Sequence, residues 1–496
     1  MRPVRGTRLA GHRPVPPASA RRRRIDRRQF LRFAAAGAAP LAAACARARR
    51  SPDPVVIVGA GLAGLRAADV LVQAGQAVVV LEARADAGGR VRTIRAPLDE
   101  DLHGEAGAIR VPDMHRRVRD LATRFGLSLI PFESGNGASV LRVGSRTVRL
   151  PEGIDALGRA LALAPGERGL SPRALLLKYV GELPAGMDDP ALAPDAYAAW
   201  RAIDAQTWPA WLGSRGASPG AVAVMTAGGD SRDLSALYVL RQFALLRNVR
   251  QYFKIQGGMD ALPRALAGAL GVVVRYDAAV VALDQTSGGV TVDYVEHGVR
   301  QTMQASRVIV TTPFSTLRAM TVRPALSPSK AAAVAALPYF PATRILLQTK
   351  TRFWHAEGLS GTSRSDQPAE TWDAAYDQPA DRGLIAATAG GALGRELAGL
   401  PADRVVERGA TLVTETFPAM RTAFDKGVVH AWAADPWARG AFAVFHPGQM
   451  SSMTPDLARP EGRLHFAGEH SSAWMGWMEG AIESGERAAR EVIEET

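Results

Sequence analysis

Cysteine is almost absent from this 496-residue chain: Cys45 is the single thiol. An intrachain disulfide and every Cys-based redox or nucleophile motif are thereby excluded. Long apolar runs are absent as well. Residues 33–46 carry no charge, but fourteen Ala-rich positions are too few and too weakly apolar to cross a bilayer stably. No Gly-x-Ser-x-Gly elbow, no P-loop and no metal-ligand spacing among the nine His is found. Internal repeats are missing, and low-complexity runs are missing outside the N-terminal leader. What remains is an ordinary globular composition, 47% hydrophobic and 22% charged, in a length that calls for two or three domains.

The formal charge of +12 suggests a polyanionic partner until it is located. Residues 1–50 hold fourteen Arg against one acid, Asp26, which is +13 and leaves −1 for residues 51–496. The body is close to neutral, so no nucleic-acid role is expected. The basic segment has its own logic. Arg27-Arg28-Gln29-Phe30-Leu31-Arg32 precedes the uncharged stretch, which ends in small residues, the order of a secretory signal. The adjacent Arg pair followed by Phe-Leu is similar to a twin-arginine (Tat) signal. The expectation is a leader over residues 1–46, Tat-machinery export of a folded protein, and a periplasmic or extracellular destination. Two readings of its end stand side by side. Ala44-Cys45-Ala46 fits simple cleavage, whereas Leu41-Ala42-Ala43-Ala44-Cys45 approximates a lipobox, with Ala42 where Leu is usual and a lipid anchor on Cys45.

From Pro54 onward the pattern becomes that of an α/β protein. Val55-Val56-Ile57-Val58 reads as a buried parallel strand and runs into Gly59-Ala60-Gly61-Leu62-Ala63-Gly64. Apolar spacing of three and four predicts a helix over 65–74, stopped by Gly75, and a second strand follows over 77–81. In such a βαβ unit Gly59 makes the tight turn, Gly61 lets the backbone approach a pyrophosphate, and Gly64 permits close helix–strand packing. The helix N-terminus offers free N–H groups to phosphate. Glu82 ends the second strand, 23 residues after Gly59, where a carboxylate can hold ribose hydroxyls. A dinucleotide is the expected ligand. Further along, a helix is expected around 114–125, helices over 151–250, strands over 272–276, 290–294 and 307–311, and a β-rich region over 337–450. A last strand, 464–467, feeds a final helix from Met478.

The segments that follow the βαβ unit resemble the flavin amine oxidase family, which includes L-amino acid oxidases and monoamine oxidases. They are, in order, Gly88-Gly89-Arg90-Val91-Arg92-Thr93, Gly107-Ala108-Ile109-Arg110-Val111-Pro112, Gly257-Gly258-Met259-Asp260-Ala261-Leu262-Pro263, Arg352-Phe353-Trp354, Phe466-Ala467-Gly468-Glu469-His470, and Gly476-Trp477-Met478-Glu479-Gly480-Ala481-Ile482-Glu483-Ser484-Gly485. The resemblance implies an FAD-binding, Rossmann-like domain of the glutathione-reductase type over 53–98, 256–325 and 458–496. It implies a mixed-sheet substrate domain over 99–150 and 326–457, and a helical insertion over 151–255. FAD contacts are implied for Gly59, Gly61, Leu62, Ala63, Gly64, Glu82, Ala83, Arg84, Gly89 and Arg90. They are also implied for Gly107, Ala108, Ile109, Arg110, Val280, Gly468, Glu469, Gly476, Trp477, Met478 and Ala481. Glu469 would reach the ribityl chain or a water near the pyrophosphate, and the amides of Trp477 and Met478 would favour negative charge at one flavin edge.

On the substrate side, Arg110 matches the Arg that grips the carboxylate in L-amino acid oxidases; the other reading is an Arg paired with a structural acid. Phe442 and Trp477 match the aromatic residues that flank the substrate amine, although Phe442 reads equally as core. Two positions depart from the family. Its flavin-facing Lys falls on Arg344, and its second carboxylate ligand, a Tyr, is replaced by Thr388 at best. A helical His of some relatives has no counterpart, the nearby residues being Arg247 and Asn248. The implied reaction is oxidative deamination: hydride transfer to flavin N5, imine hydrolysis, and reoxidation by oxygen with release of peroxide. L-Amino acid oxidation leads; oxidation of an amine without a carboxylate, and a dehydrogenase using a protein or quinone acceptor, stand as alternatives. A homodimer is a further expectation.

Overall fold

Val55–Val58 forms a strand with all four side chains buried, because β-branched residues on both faces of a pleated strand need apolar cover. In this computed structural model residues 53–132, 137–151, 159, 161, 163–229, 231–365 and 370–495 are described; the leader, with Arg27, Arg28 and Cys45, lies outside the described residues. The first strand sits at the centre of a five-stranded parallel sheet in the order Val274–Arg275, Val78–Leu81, Val55–Val58, Arg307–Val310, Leu464–Phe466. Its strands thus come from three separated parts of the sequence. The helix Leu62–Gln73 follows the glycine turn and packs on the final helix, Met478–Glu494. Contact there is close: a Cβ on Gly485 would lie 2.2 Å from the Ala63 carbonyl.

A four-stranded sheet, Ala278–Gln285, Val290–Glu296, Val299–Ala305 and Thr321–Arg323, stands beside it in sequence. The largest sheet has seven strands, ordered Phe424–Ala431, Thr343–Thr349, Gly383–Ala389, Glu370–Asp373, Leu359–Ser365, Ala138–Val143, Arg146–Leu150. One pairing in it is parallel, Leu359–Ser365 with Ala138–Val143, so the sheet is mixed. Helices Pro172–Val180, Trp208–Ser214, Pro219–Thr226 and Ala236–Leu246 make up much of the helical part. Each starts at a Ser or Thr whose side chain accepts from the first-turn amides.

Three expectations need correction. The strand expected over 272–276 shrinks to Val274–Arg275, because Gly271, at φ +55°, ends the preceding helix and throws Val272 into solvent, 97% exposed. The helical stretch 151–255 ends in a strand, Tyr252–Ile255, which pairs with Val111–Pro112 and Leu129–Pro131. The β-rich region over 337–450 also holds helices Gly391–Ala398 and Ala402–Thr416; in the latter, burial of Val405, Gly409, Leu412, Val413 and Thr416 follows helical spacing.

Candidate active site

The glycine turn opens a cavity of about 560 Å³ that runs from the five-stranded sheet to the seven-stranded one. Gly59 turns at φ +104° with its amide on the Leu81 carbonyl, 2.8 Å away. Gly61 caps the helix Leu62–Gln73 with no side chain of its own, and the helix has no acid in its first turn. A Cβ on Gly61 would meet nothing within 4 Å, so this backbone faces open space together with Leu62 and Ala63. Such an N-terminus suits a phosphate. Gly64 does not line the cavity, contrary to expectation. A Cβ there would stand 2.0 Å from the Gly59 carbonyl, so its task is helix–turn contact alone.

Glu82 lies at the cavity wall, where its Oε2 accepts from the Ala60 amide at 2.6 Å and its Oε1 from the Arg84 amide at 2.9 Å. Burial pushes its carboxyl up despite those bonds. Arg84 is held by Asp435 at 2.6 Å. The second glycine motif docks on the first through the Gly88 amide and the Ala60 carbonyl, 2.9 Å, which brings Gly89 and Arg90 to the cavity beside Ala83. Arg90 donates to Glu469 at 2.7 Å. The Glu469 carboxylate also accepts from the amides of Ala443 and Gly476, at 3.1 and 2.7 Å. Both oxygens thus also hold the loops at 443 and 476 in place, and Glu469 lines the cavity beside them. Gly107, Ala108, Ile109, Val280, Gly468, Gly476, Trp477, Met478 and Ala481 line the cavity as expected. The final helix starts at Trp477 without a side-chain cap; Glu479 in its first turn faces away and accepts from the amides of Arg117 and Val118. Thr312 and Thr316, also on the wall, have buried hydroxyls without a partner among the described residues. Open glycine backbone, two uncapped helix starts and orphan hydroxyls fit a long polar dinucleotide.

The far end is built on the seven-stranded sheet. Arg344, Thr388 and Glu370 are cross-strand neighbours in register on three adjacent strands, and all three line the cavity. Arg344 Nη1 donates to Thr388 Oγ1 at 2.6 Å, its guanidinium lies 4.5 Å from the Trp372 ring, and its Nε has no partner. Burial lowers Arg344 to about 10, with Glu370 opposing the shift and Arg110 adding to it, so it stays protonated at neutral pH. Arg110 enters from the loop after Gly107. It lies over the rings of Tyr252 and Phe132, at 5.3 and 5.9 Å, with Nη1 3.8 Å from Glu370 Oε1. Arg110 thus faces the cavity and also neighbours an acid.

Phe442 lines the cavity while stacked on Phe340, ring centroids 5.1 Å apart. Trp477 Nε1 donates to Gln242 Oε1 at 3.2 Å. Behind Trp477 stands His115, edge-on to it at 5.1 Å and to Trp474 at 4.9 Å; burial takes this imidazole down to about 3, so it is neutral. The helix Ala236–Leu246 lies in the stretch expected to be helical, but the sequence reading missed that it presents Tyr238, Gln242 and Leu246 to the cavity at spacings of four. That spacing was the available signal. Arg247 and Asn248 do not line the cavity, and Arg247 pairs with Asp188 outside it.

Residues 62–493 match the family model described as flavin containing amine oxidoreductase. The chain is 30% identical over 483 residues to an L-amino-acid oxidase of Gloydius halys, covering 95% of this chain and 93% of that one. It is 31% identical over 459 residues to an L-amino-acid oxidase of Siganus canaliculatus, covering 89% and 85%. Among solved structures, putrescine oxidase bound to putrescine superposes with a TM-score of 0.73 at 23% identity, over 89% of this chain and 99% of that one. Cyclohexylamine oxidase from Brevibacterium oxydans IH-35A gives 0.71 at 23% identity, over 90% and 99%. At that identity the structures speak to a shared fold.

Proposed function

Because this chain belongs to the flavin-containing amine oxidoreductase family and is an FAD-dependent oxidase of amines or amino acids, we propose that its substrate is an α-amino acid held through its carboxylate by Arg110. FAD bound here would supply a two-electron acceptor for the hydride of the amine-bearing carbon, with oxygen as the oxidant that restores it. The residues that would hold it are the backbone of Gly61, Leu62 and Ala63 for the pyrophosphate, Glu82 for the ribose, and the helix start at Trp477 and Met478 for the ring system. The remaining work falls to the chain itself. Arg110 offers a fork whose two N–H groups match a carboxylate, and its guanidinium lies 5.3 Å from the Tyr252 ring. Arg344 and Thr388 provide donors on the facing strands. Phe442, Phe340, Tyr238 and Trp477 exclude water, which favours the neutral amine that hydride transfer requires.

No base is needed for that role, and the side chain that accepts from Trp477 Nε1, Gln242, cannot take a proton. The observation that carries the reading is two guanidinium groups, Arg110 and Arg344, facing the same end of the cavity as the aromatic side chains Tyr238, Phe340, Phe442 and Trp477. Peroxide release under air, with amino acids set beside their decarboxylated amines, tests it. Arg110→Ala should cost up to about 3 kcal/mol in kcat/KM for amino acids. Equal turnover by the variant removes the carboxylate role. A second reading, oxidation of an amine lacking a carboxylate, draws on the acid already beside Arg110, since Glu370 can serve as its partner.

A further inference from the structure

We propose that Glu370 is a specificity-determining residue that sets the substrate end of the cavity to accept one carboxylate and to turn away a second. The inference rests on the amino acid reading above. Among the described residues lining the cavity, most charged groups are committed elsewhere: Arg90 to Glu469, Arg84 to Asp435, and Glu82 to the amides of Ala60 and Arg84. Arg110, Arg344 and Glu370 are left to meet the substrate.

Their placement is fixed by the sheet. Thr388 pairs in register with Arg344 on one side and Glu370 on the other, so the hydroxyl that binds Arg344 stands between cation and acid. Arg110 reaches the same acid from the opposite wall, 3.8 Å away. Glu370 is therefore close to both cations that could receive a carboxylate. One incoming carboxylate alternates with the charges already present, two of each sign. A second, on an acidic side chain, adds a third anion against two cations. The rest of this end, Leu234, Tyr238, Phe340, Phe442 and Trp477, has no cation to offer, and low polarity strengthens the repulsion. Rejection of this kind is electrostatic and independent of side-chain length.

The test compares phenylalanine, glutamate and phenethylamine as substrates of the flavin-loaded wild type and of Glu370→Gln. Expected is a wild-type preference for phenylalanine over glutamate of about a hundredfold or more in kcat/KM, since like-charge juxtaposition is worth several kcal/mol. In E370Q that ratio should contract by about tenfold or more, because one repelling charge is gone while the side-chain shape is kept. Titration of the wild-type flavin absorption band with butyrate and glutarate repeats the comparison without turnover and without a variant. An unchanged ratio in E370Q, or wild type that binds glutarate as tightly as butyrate, overturns the role of Glu370 while leaving the carboxylate reading intact. Preference for phenethylamine over phenylalanine overturns the carboxylate reading and Glu370 with it.

Discussion

Lys330 lies on the helix Pro328–Ala336 with no exposed surface. Its Nζ sits 4.0 Å from the Phe466 ring and 3.4 Å from the Leu457 carbonyl, and no carboxylate among the described residues pairs with it. Burial takes the amine from the usual 10.5 to about 7, with Glu461 opposing and Arg459 and Arg487 adding. The unfolded chain holds the proton up to about pH 10.5 and the folded chain only below about 7, so stability rises with pH across that window. The slope is about 1.4 kcal/mol per pH unit, which sets a ceiling of about 5 kcal/mol on the cost at neutral pH. Lys330→Met keeps the volume and removes the charge. After allowance for the lost ring contact, a gain of about 2–4 kcal/mol is expected at pH 7, vanishing near pH 10. Denaturant unfolding of both proteins, followed by circular dichroism at pH 7, 8, 9 and 10, measures it. A gain that does not change with pH refutes the reasoning, because then no buried proton is involved.

Two glycines of one motif should behave in opposite ways. Gly64→Ala forces a methyl to 2.0 Å from the Gly59 carbonyl and should cost about 3 kcal/mol or more of stability, read as a fall in Tm. Gly61→Ala meets no protein atom within 4 Å, so Tm of the flavin-free protein should hold while the FAD Kd rises, read by flavin fluorescence. If Gly61→Ala leaves the Kd unchanged, that backbone does not face the cofactor. With the amine bound neutral, kcat/KM should climb about tenfold per pH unit until the substrate amine's own pKa. His115, held near 3, contributes nothing to that limb, so His115→Phe should leave its position unmoved; a displaced limb would assign the proton to the imidazole.

The dinucleotide end was legible in sequence because backbone demands leave residue-specific marks. Gly59 needs a positive φ, Gly64 and Gly107 tolerate no Cβ, and Glu82 directly follows a wholly apolar strand, Val78–Leu81. The substrate end was legible only through single side chains such as Arg110 and Trp477. Gln242 and Tyr238 escaped notice because a helix face turned to a cavity has the same periodicity as one turned to a core. Glu370 escaped for another reason. Its significance comes from cross-strand register with Thr388 and Arg344, residues 18 and 26 positions away, and register is invisible until the sheet order is known. Glu469 shows a mixed case: its motif was legible, whereas the loop amides of Ala443 and Gly476 that its carboxylate accepts from were not.

The closeness of Gly485 to the Ala63 carbonyl carries a consequence for how the protein is made. The first strand leaves the ribosome well before the edge strand of the central sheet, Leu464–Phe466, and before the helix that covers the glycine turn, Met478–Glu494. A partial chain without these elements lacks part of the cavity wall, so FAD loading is expected only once they have joined the sheet and the glycine turn. Truncation by even the final helix should yield apoprotein, whatever the integrity of the rest.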